Sequence, residues 1–199
     1  MRHIQFFAAV VLTAVVLGCG GESPNVENQG TDALSPPAIE LDPVDPSIIV
    51  RPFTADEIRN EWVPGLRLLI RRSDQNGSRD ERWTVKTADA EGAEIEYATL
   101  ANNGSIVGEP IVERSTWVDL QNHASFPASR STREWVERST QLGEFEGWLY
   151  RVSDDDSSAV QEFFFVPALP GAPVHMRVLD GETTVFEIEQ KARLRPNAN

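Results

Sequence analysis

Residues 66–97 read LRLLIRRSDQNGSRDERWTVKTADAEGAEIEY, and their period decides the fold. Leu66, Leu68 and Ile70 alternate with Arg67 and Arg71. Trp83 and Val85 alternate with Arg82, Thr84 and Lys86, and Ile95 and Tyr97 with Glu94 and Glu96. A period of two sends successive side chains to opposite faces, so each run is predicted as a strand with one buried and one wetted face. Between the runs lie Asn76-Gly77 and Glu91-Gly92, and further on Asn103-Gly104 and Asp180-Gly181. Such pairs tolerate the positive φ of tight hairpins. An antiparallel meander is the expectation.

Before these strands the pattern is helical. Thr54 is a good N-cap, Glu57 stands three residues on to return a hydrogen bond, and Phe53 can pack on Ile58 as a hydrophobic staple. Ile58 and Trp62 share a face at i, i+4, and Pro64-Gly65 ends the helix after about two turns. A second short helix is predicted over residues 116–124, with Thr116 as cap, Asp119 as its reciprocal partner and Trp117, Leu120 and Ala124 on one face. Further strands are predicted near residues 133–140, 145–152, 160–166, 174–179 and 184–193. The run Phe163, Phe164, Phe165, Val166 is apolar on both faces and predicts a central strand covered on both sides, by one of the helices. The fold class is therefore mainly β (α+β): a curved antiparallel meander of about nine strands with two short helices. It forms one domain over residues 51–195, followed by a short disordered tail, 196–199. About 140 residues suffice to bury nearly 70% of the unfolded surface.

At the N-terminus, Met1-Arg2-His3 precedes an apolar run from Ile4 to Leu17, interrupted by Gln5 and Thr13. At about 14 residues it is too short to cross a bilayer as a helix and reads as a targeting leader. The leader ends Val16-Leu17-Gly18-Cys19, which resembles the lipobox of bacterial lipoproteins: an aliphatic residue, a tolerant position, a small residue, then cysteine. The resemblance implies that Val16, Leu17 and Gly18 form the recognition site for the signal peptidase. It further implies cleavage after residue 18 and attachment of lipid, palmitate among its acyl chains, to Cys19. Cys19 is the only cysteine, so no intrachain disulfide competes for it. Two or three acyl chains anchor firmly where one alone is marginal. The implied address is the bacterial cell envelope, on a membrane and preferably the outer one, facing the periplasm or the surface. Residues 19–50, rich in Gly, Ser, Pro, Asn and acids, read as a solvated tether.

The formal net charge is −13, and losing Arg2 with the leader makes the mature chain one unit more negative. Such a domain repels phosphate backbones, which excludes nucleic acid as a partner.

The inventory for catalysis is thin. Past the leader only His123 and His175 remain. His175 reads as an exposed strand residue beside Arg177, and His123 as a C-terminal cation or donor on the second helix. Ser125 and Ser129 lie near His123, but no Gly-x-Ser-x-Gly elbow occurs. No His-x-x-x-His or Cys-x-x-Cys pair offers a zinc site. The loop from Asp74 to Glu81 fails the EF-hand register, since counting back from Gly77 puts Arg72 at the first ligand position; it reads as a hairpin turn. Asp154-Asp155-Asp156 reads as a solvated acidic turn. No metal or cofactor is expected, and the chain is read as non-enzymatic.

Trp62, Trp83, Trp117, Trp135 and Trp148 all fall on apolar positions and are read first as core. Trp83, Trp117, Trp135 and Trp148 are also the candidates for lining an apolar pocket. The late segment, with its aromatic strand, Leu169-Pro170-Gly171-Ala172-Pro173-Val174 and the hairpin ending in alternating Phe186, Ile188, Gln190 and Ala192, resembles a pattern of uncharacterised envelope lipoproteins. It is also similar to half-barrel lipoprotein-carrier domains, in which a curved sheet wraps a helix around an apolar cavity. Two functions follow as expectations. One is a binding or structural module for an envelope protein, and the other a carrier or sensor of an apolar ligand or lipid.

Overall fold

The computed structural model describes residues 45–155 and 157–196. The residues read as a leader, those read as a lipobox (Val16, Leu17, Gly18 and Cys19), those read as a tether as far as residue 44, and the last three residues lie outside them.

The chain runs α1 (Ala55–Glu61), β1 (Arg67–Asp74), β2 (Gly77–Ala88), β3 (Gly92–Leu100), β4 (Ile106–Thr116), α2 (Trp117–Asn122), β5 (Ser131–Thr140), β6 (Gly143–Ser153), β7 (Ala159–Phe165), β8 (His175–Asp180) and β9 (Thr183–Leu194). A single 3-10 turn, Ala128–Arg130, precedes β5. Both helices begin as their sequences predict. Thr54 accepts from the Glu57 amide while the Glu57 carboxylate accepts from the Thr54 amide at 2.7 Å, and Thr116 and Asp119 repeat the same box. Each box satisfies two amide donors that a helix start leaves open.

All nine strands join one antiparallel open sheet in the order β4-β3-β2-β1-β9-β8-β7-β6-β5. The meander is thus interrupted once. Strands β1 to β4 step outward in one direction, β5 to β9 step back from the far edge, and the two runs are joined where β1 pairs with β9. Strands β4 and β5, neighbours in sequence, stand at opposite edges.

One face, here the inner face, carries a single core. Leu66, Leu68, Ile70, Trp83, Val85, Ile95, Trp148, Tyr150, Phe165 and Ile188 are buried there with Phe53, Ile58, Trp62, Trp117 and Phe126 from the helical segments. Leu66, Leu68, Ile70, Trp83, Val85, Ile95 and Ile188 are alternating positions the sequence marks. The segment before α1, read as the end of the tether, also joins the domain: Ile48 bridges Pro127, the Ile49 amide donates to the Phe126 carbonyl, and the Val50 carbonyl accepts from the Tyr150 hydroxyl at 2.7 Å.

The triple-phenylalanine strand β7 is interior and covered on both faces, though by other parts of the chain than a helix. On the inner face Phe126, just past α2, stacks on Phe163 at 4.7 Å, and Phe53, just before α1, meets Phe165 edge-on at 5.9 Å. On the outer face Phe164 lies in a second cluster with Leu149, Val166 and Val174, packed by Val136, Leu142, Phe145 and Leu169. The tip of the β5–β6 hairpin forms part of this cover. Gln141 there donates through its amide nitrogens to the Glu189 carboxylate on β9, at 3.1 and 2.7 Å.

The Leu169–Val174 stretch docks on α1. The Pro170 carbonyl accepts from the Trp62 indole at 2.9 Å and from Arg193 at 3.0 Å. Gly171 sits at φ +110, and a Cβ there would lie 2.1 Å from the Trp62 indole nitrogen, so only glycine fits. Glu61, buried at the end of α1, pairs with Arg193 at 2.9 Å and with Arg195.

Candidate functional site

The four tryptophans proposed as pocket lining all belong to, or pack against, the inner-face core. Trp117 is a structural anchor, because its indole N–H donates to the Asp89 carbonyl in the β2–β3 turn at 3.0 Å. Trp135 on β5 and Trp148 on β6 form an edge-to-face pair at 4.9 Å, and the Arg133 guanidinium lies 3.9 Å over the Trp148 ring. The indole N–H of Trp135 is buried without an acceptor. Trp83 on β2 meets Tyr97 on β3 edge-on at 5.2 Å. The structure therefore brings two aromatic pairs to the same face, on opposite halves of the sheet, rather than four rings to one point. Burial drives the Tyr97 hydroxyl up to about 12, helped by Glu113 on β4. That phenol is neutral at any physiological pH.

A charged feature interrupts this apolar face. Arg72 on β1 lies level with Ile188 on β9 and Arg79 on β2, all on the inner side. Its guanidinium sits 4.8 Å over the Phe186 ring, and its Nε–H is buried without an acceptor. Arg79 pairs with Glu81 at 3.1 Å. Arg72 has no ion pair among the described residues, and the residue directly across from it carries the same charge, an arrangement that costs stability. Burial, then the field of Arg79, pushes the Arg72 pKa below the ordinary arginine value, while Glu81 and Asp74 act the other way. Period-two reading carries the signal for this group: 68, 70 and 72 share parity, as do 79, 81, 83 and 85. Arg72, Arg79 and Glu81 thus fall on the apolar face. The doubled Arg71-Arg72 masked it.

On the outer face Glu162 of β7 is nearly buried beneath three arginines: Arg177 at 2.7 Å, Arg151 at 2.8 Å and Arg138 at 3.3 Å. Burial opposes ionisation of this carboxyl, but the hydrogen bonds from Arg177 and Arg151 and the fields of Arg177 and Arg138 outweigh it and hold the pKa at about 2. Every partner is a neighbouring strand or the β5–β6 hairpin, so the cluster ties the sheet together.

The histidines stand apart. His175 is half-buried rather than exposed, because it faces Glu187 across β8 and β9 with its Nε2 2.8 Å from the carboxylate. His123 caps the C-terminus of α2 through its backbone. Desolvation lowers its pKa, so near neutral pH its ring is uncharged rather than the cation expected at a helix end. Ser125 accepts from Arg51 at 2.7 Å. The Asp74 carboxylate caps its own turn by accepting from the Asn76 amide at 2.7 Å, and Asp155 pairs with Arg130 at 2.8 Å. Among the described residues no three His, Cys, Asp or Glu side chains converge as a metal site, and no helix is long and apolar enough to cross a membrane.

No family model matches the chain, and no curated protein matches it. Among solved structures it is similar to the hypothetical protein CT021 from Chlamydia trachomatis, at 12% identity and a TM-score of 0.37, covering 73% of this chain and 96% of that one. A likeness of that degree assigns no function.

Proposed function

We propose that the protein is a lipid-anchored lipoprotein of the bacterial cell envelope, a non-enzymatic binding or structural module tethered to a membrane through Cys19. The observation that supports a binding role is the β4 edge. Ile106, Val107, Ile111 and Val112 are 41–60% exposed on a strand paired on one side alone among the described residues, and Val118 in the first turn of α2 is exposed as well. An added strand from a partner satisfies the open backbone groups and covers these side chains. Pro110, which has no N–H, and Gly108 at φ +75 interrupt the first half of the edge and guard it against indiscriminate pairing. Residues 111–116 remain as the regular stretch for a specific envelope protein.

A photoreactive amino acid placed at Ile111 of the full chain, expressed in the native host, tests this. The expected result is one discrete protein adduct that disappears with Cys19→Ala, together with loss of palmitate incorporation in that variant. Lipid label that persists in Cys19→Ala would remove the anchor, and an anchored protein giving no adduct from Ile111 or Val112 would remove the partner.

A second reading is favoured by a different observation, the aromatic inner face. Tyr97 and Trp135 are half-buried at the margin of the core, each edge-on to a buried tryptophan, Trp83 and Trp148, and such rings suit the wall of a site for an apolar ligand or lipid. On this reading the domain is a carrier or sensor.

A further inference from the structure

We propose that Arg72 is the headgroup site for an amphiphile bearing a single acidic group, with its tail along the inner face; this rests on the carrier reading above. A cation on an apolar sheet face requires a reason, because removing charge from water is costly unless it is paired. Arg71 pairs with Asp80, Arg82 with Glu96, Arg114 with Asp89, Arg193 with Glu61 and three arginines with Glu162, while Arg133, which lies over Trp148 on the inner face, donates to the Val50 carbonyl. Arg72 instead faces Arg79, lies over Phe186 and leaves its Nε–H without an acceptor.

Glu81, the acid on the same face, is engaged by Arg79, and the Asp74 carboxylate is engaged by its own turn. An anionic oxygen arriving at Arg72 would supply the missing acceptor through a charge-assisted hydrogen bond and relieve the repulsion from Arg79. The surroundings suit the rest of such a molecule. Ile188 is level with Arg72, Met176 lies beside Ile188, and Val178 beside Phe186. Met176, Val178 and Phe186 are only half-buried, so the apolar surface beside Arg72 is open to a tail. A neutral lipid would leave Arg72 as it is, and a cationic one would meet two guanidinium groups.

The test uses photoactivatable dodecanoate and the matching photoactivatable dodecanol on the full chain at pH 8, with the labelled peptides mapped by mass spectrometry. Dodecanoate is expected to label β8–β9 and β1–β2 peptides, and Arg72→Gln to reduce that labelling about tenfold, the worth of one charge-assisted hydrogen bond. Arg72→Lys is expected to keep most of it. The alcohol should label weakly and alike in all three proteins, and unchanged melting temperatures establish that the variants are folded. Equal labelling by acid and alcohol, indifferent to Arg72→Gln, would overturn the role of Arg72 while leaving an apolar site in place. Absence of inner-face labelling by either probe would overturn the carrier reading, and this proposal with it.

Discussion

Glu162 shows how one residue can set a pH limit on the whole fold. Its ordinary pKa of 4.5 falls to about 2 in the folded chain. A depressed carboxylate pKa means that its contribution is complete above about pH 4.5 and is lost as the pH falls from there towards 2. The shift corresponds to roughly 3 kcal/mol. Glu162→Gln leaves Arg138, Arg151 and Arg177 crowded around a neutral amide, and we expect it to cost about 3 kcal/mol at neutral pH. Urea titrations between pH 2 and 7 measure both effects: the variant should be less stable at pH 7 and should show a flatter acid limb. Equal slopes for the two proteins would mean that other carboxylates carry the acid sensitivity. None of this was legible in the sequence, where Glu162 is one acid among 31 Asp and Glu. Its three partners stand on three other strands.

At the scale of the element, local chemistry was readable almost to the residue. Both capping boxes form as spaced, and Thr54→Ala should cost about 1 kcal/mol of stability, read as a lower melting temperature. Strand packing sets a stricter demand at Gly147 on β6. A Cβ there would fall 2.3 Å from the Phe165 carbonyl oxygen and 3.0 Å from the Phe164 ring. Gly147→Ala must push β6 away from β7, and a loss of roughly 2–3 kcal/mol is expected. A thermal melt of Gly147→Ala within a degree of the parent would show that the two strands part easily. The sequence displays Gly147 inside a strand pattern but cannot say which backbone approaches it. The apolar period behaves similarly: it placed Leu68, Ile70, Trp83, Val85 and Ile95 on one face, yet left open what covers them.

For the whole molecule, the decisive contact is β1 with β9. The two runs of strands meet there, and Glu61 and Arg193 pair across 132 residues of chain. Contacts this distant make loop closure costly and folding slow. A chain ended at Asp180 would lose β9, the Arg193 and Arg195 partners of Glu61, and the strand that unites the halves. Tryptophan fluorescence in urea should then show no cooperative transition. A sigmoidal transition with the slope of the full chain would mean that the halves fold without their seam.

The sequence by itself determined the β-rich class, the two capped helices, the inner-face alternation and the acidic charge, because each depends on residues a few positions apart. Strand order, the opposite-edge placement of β4 and β5, the cover over Phe164 and the three arginines on Glu162 were decided by tertiary structure alone. Those features arise where strands distant in sequence are brought together to bury a shared face, and the free energy that selects the arrangement belongs to the assembled sheet rather than to any one segment.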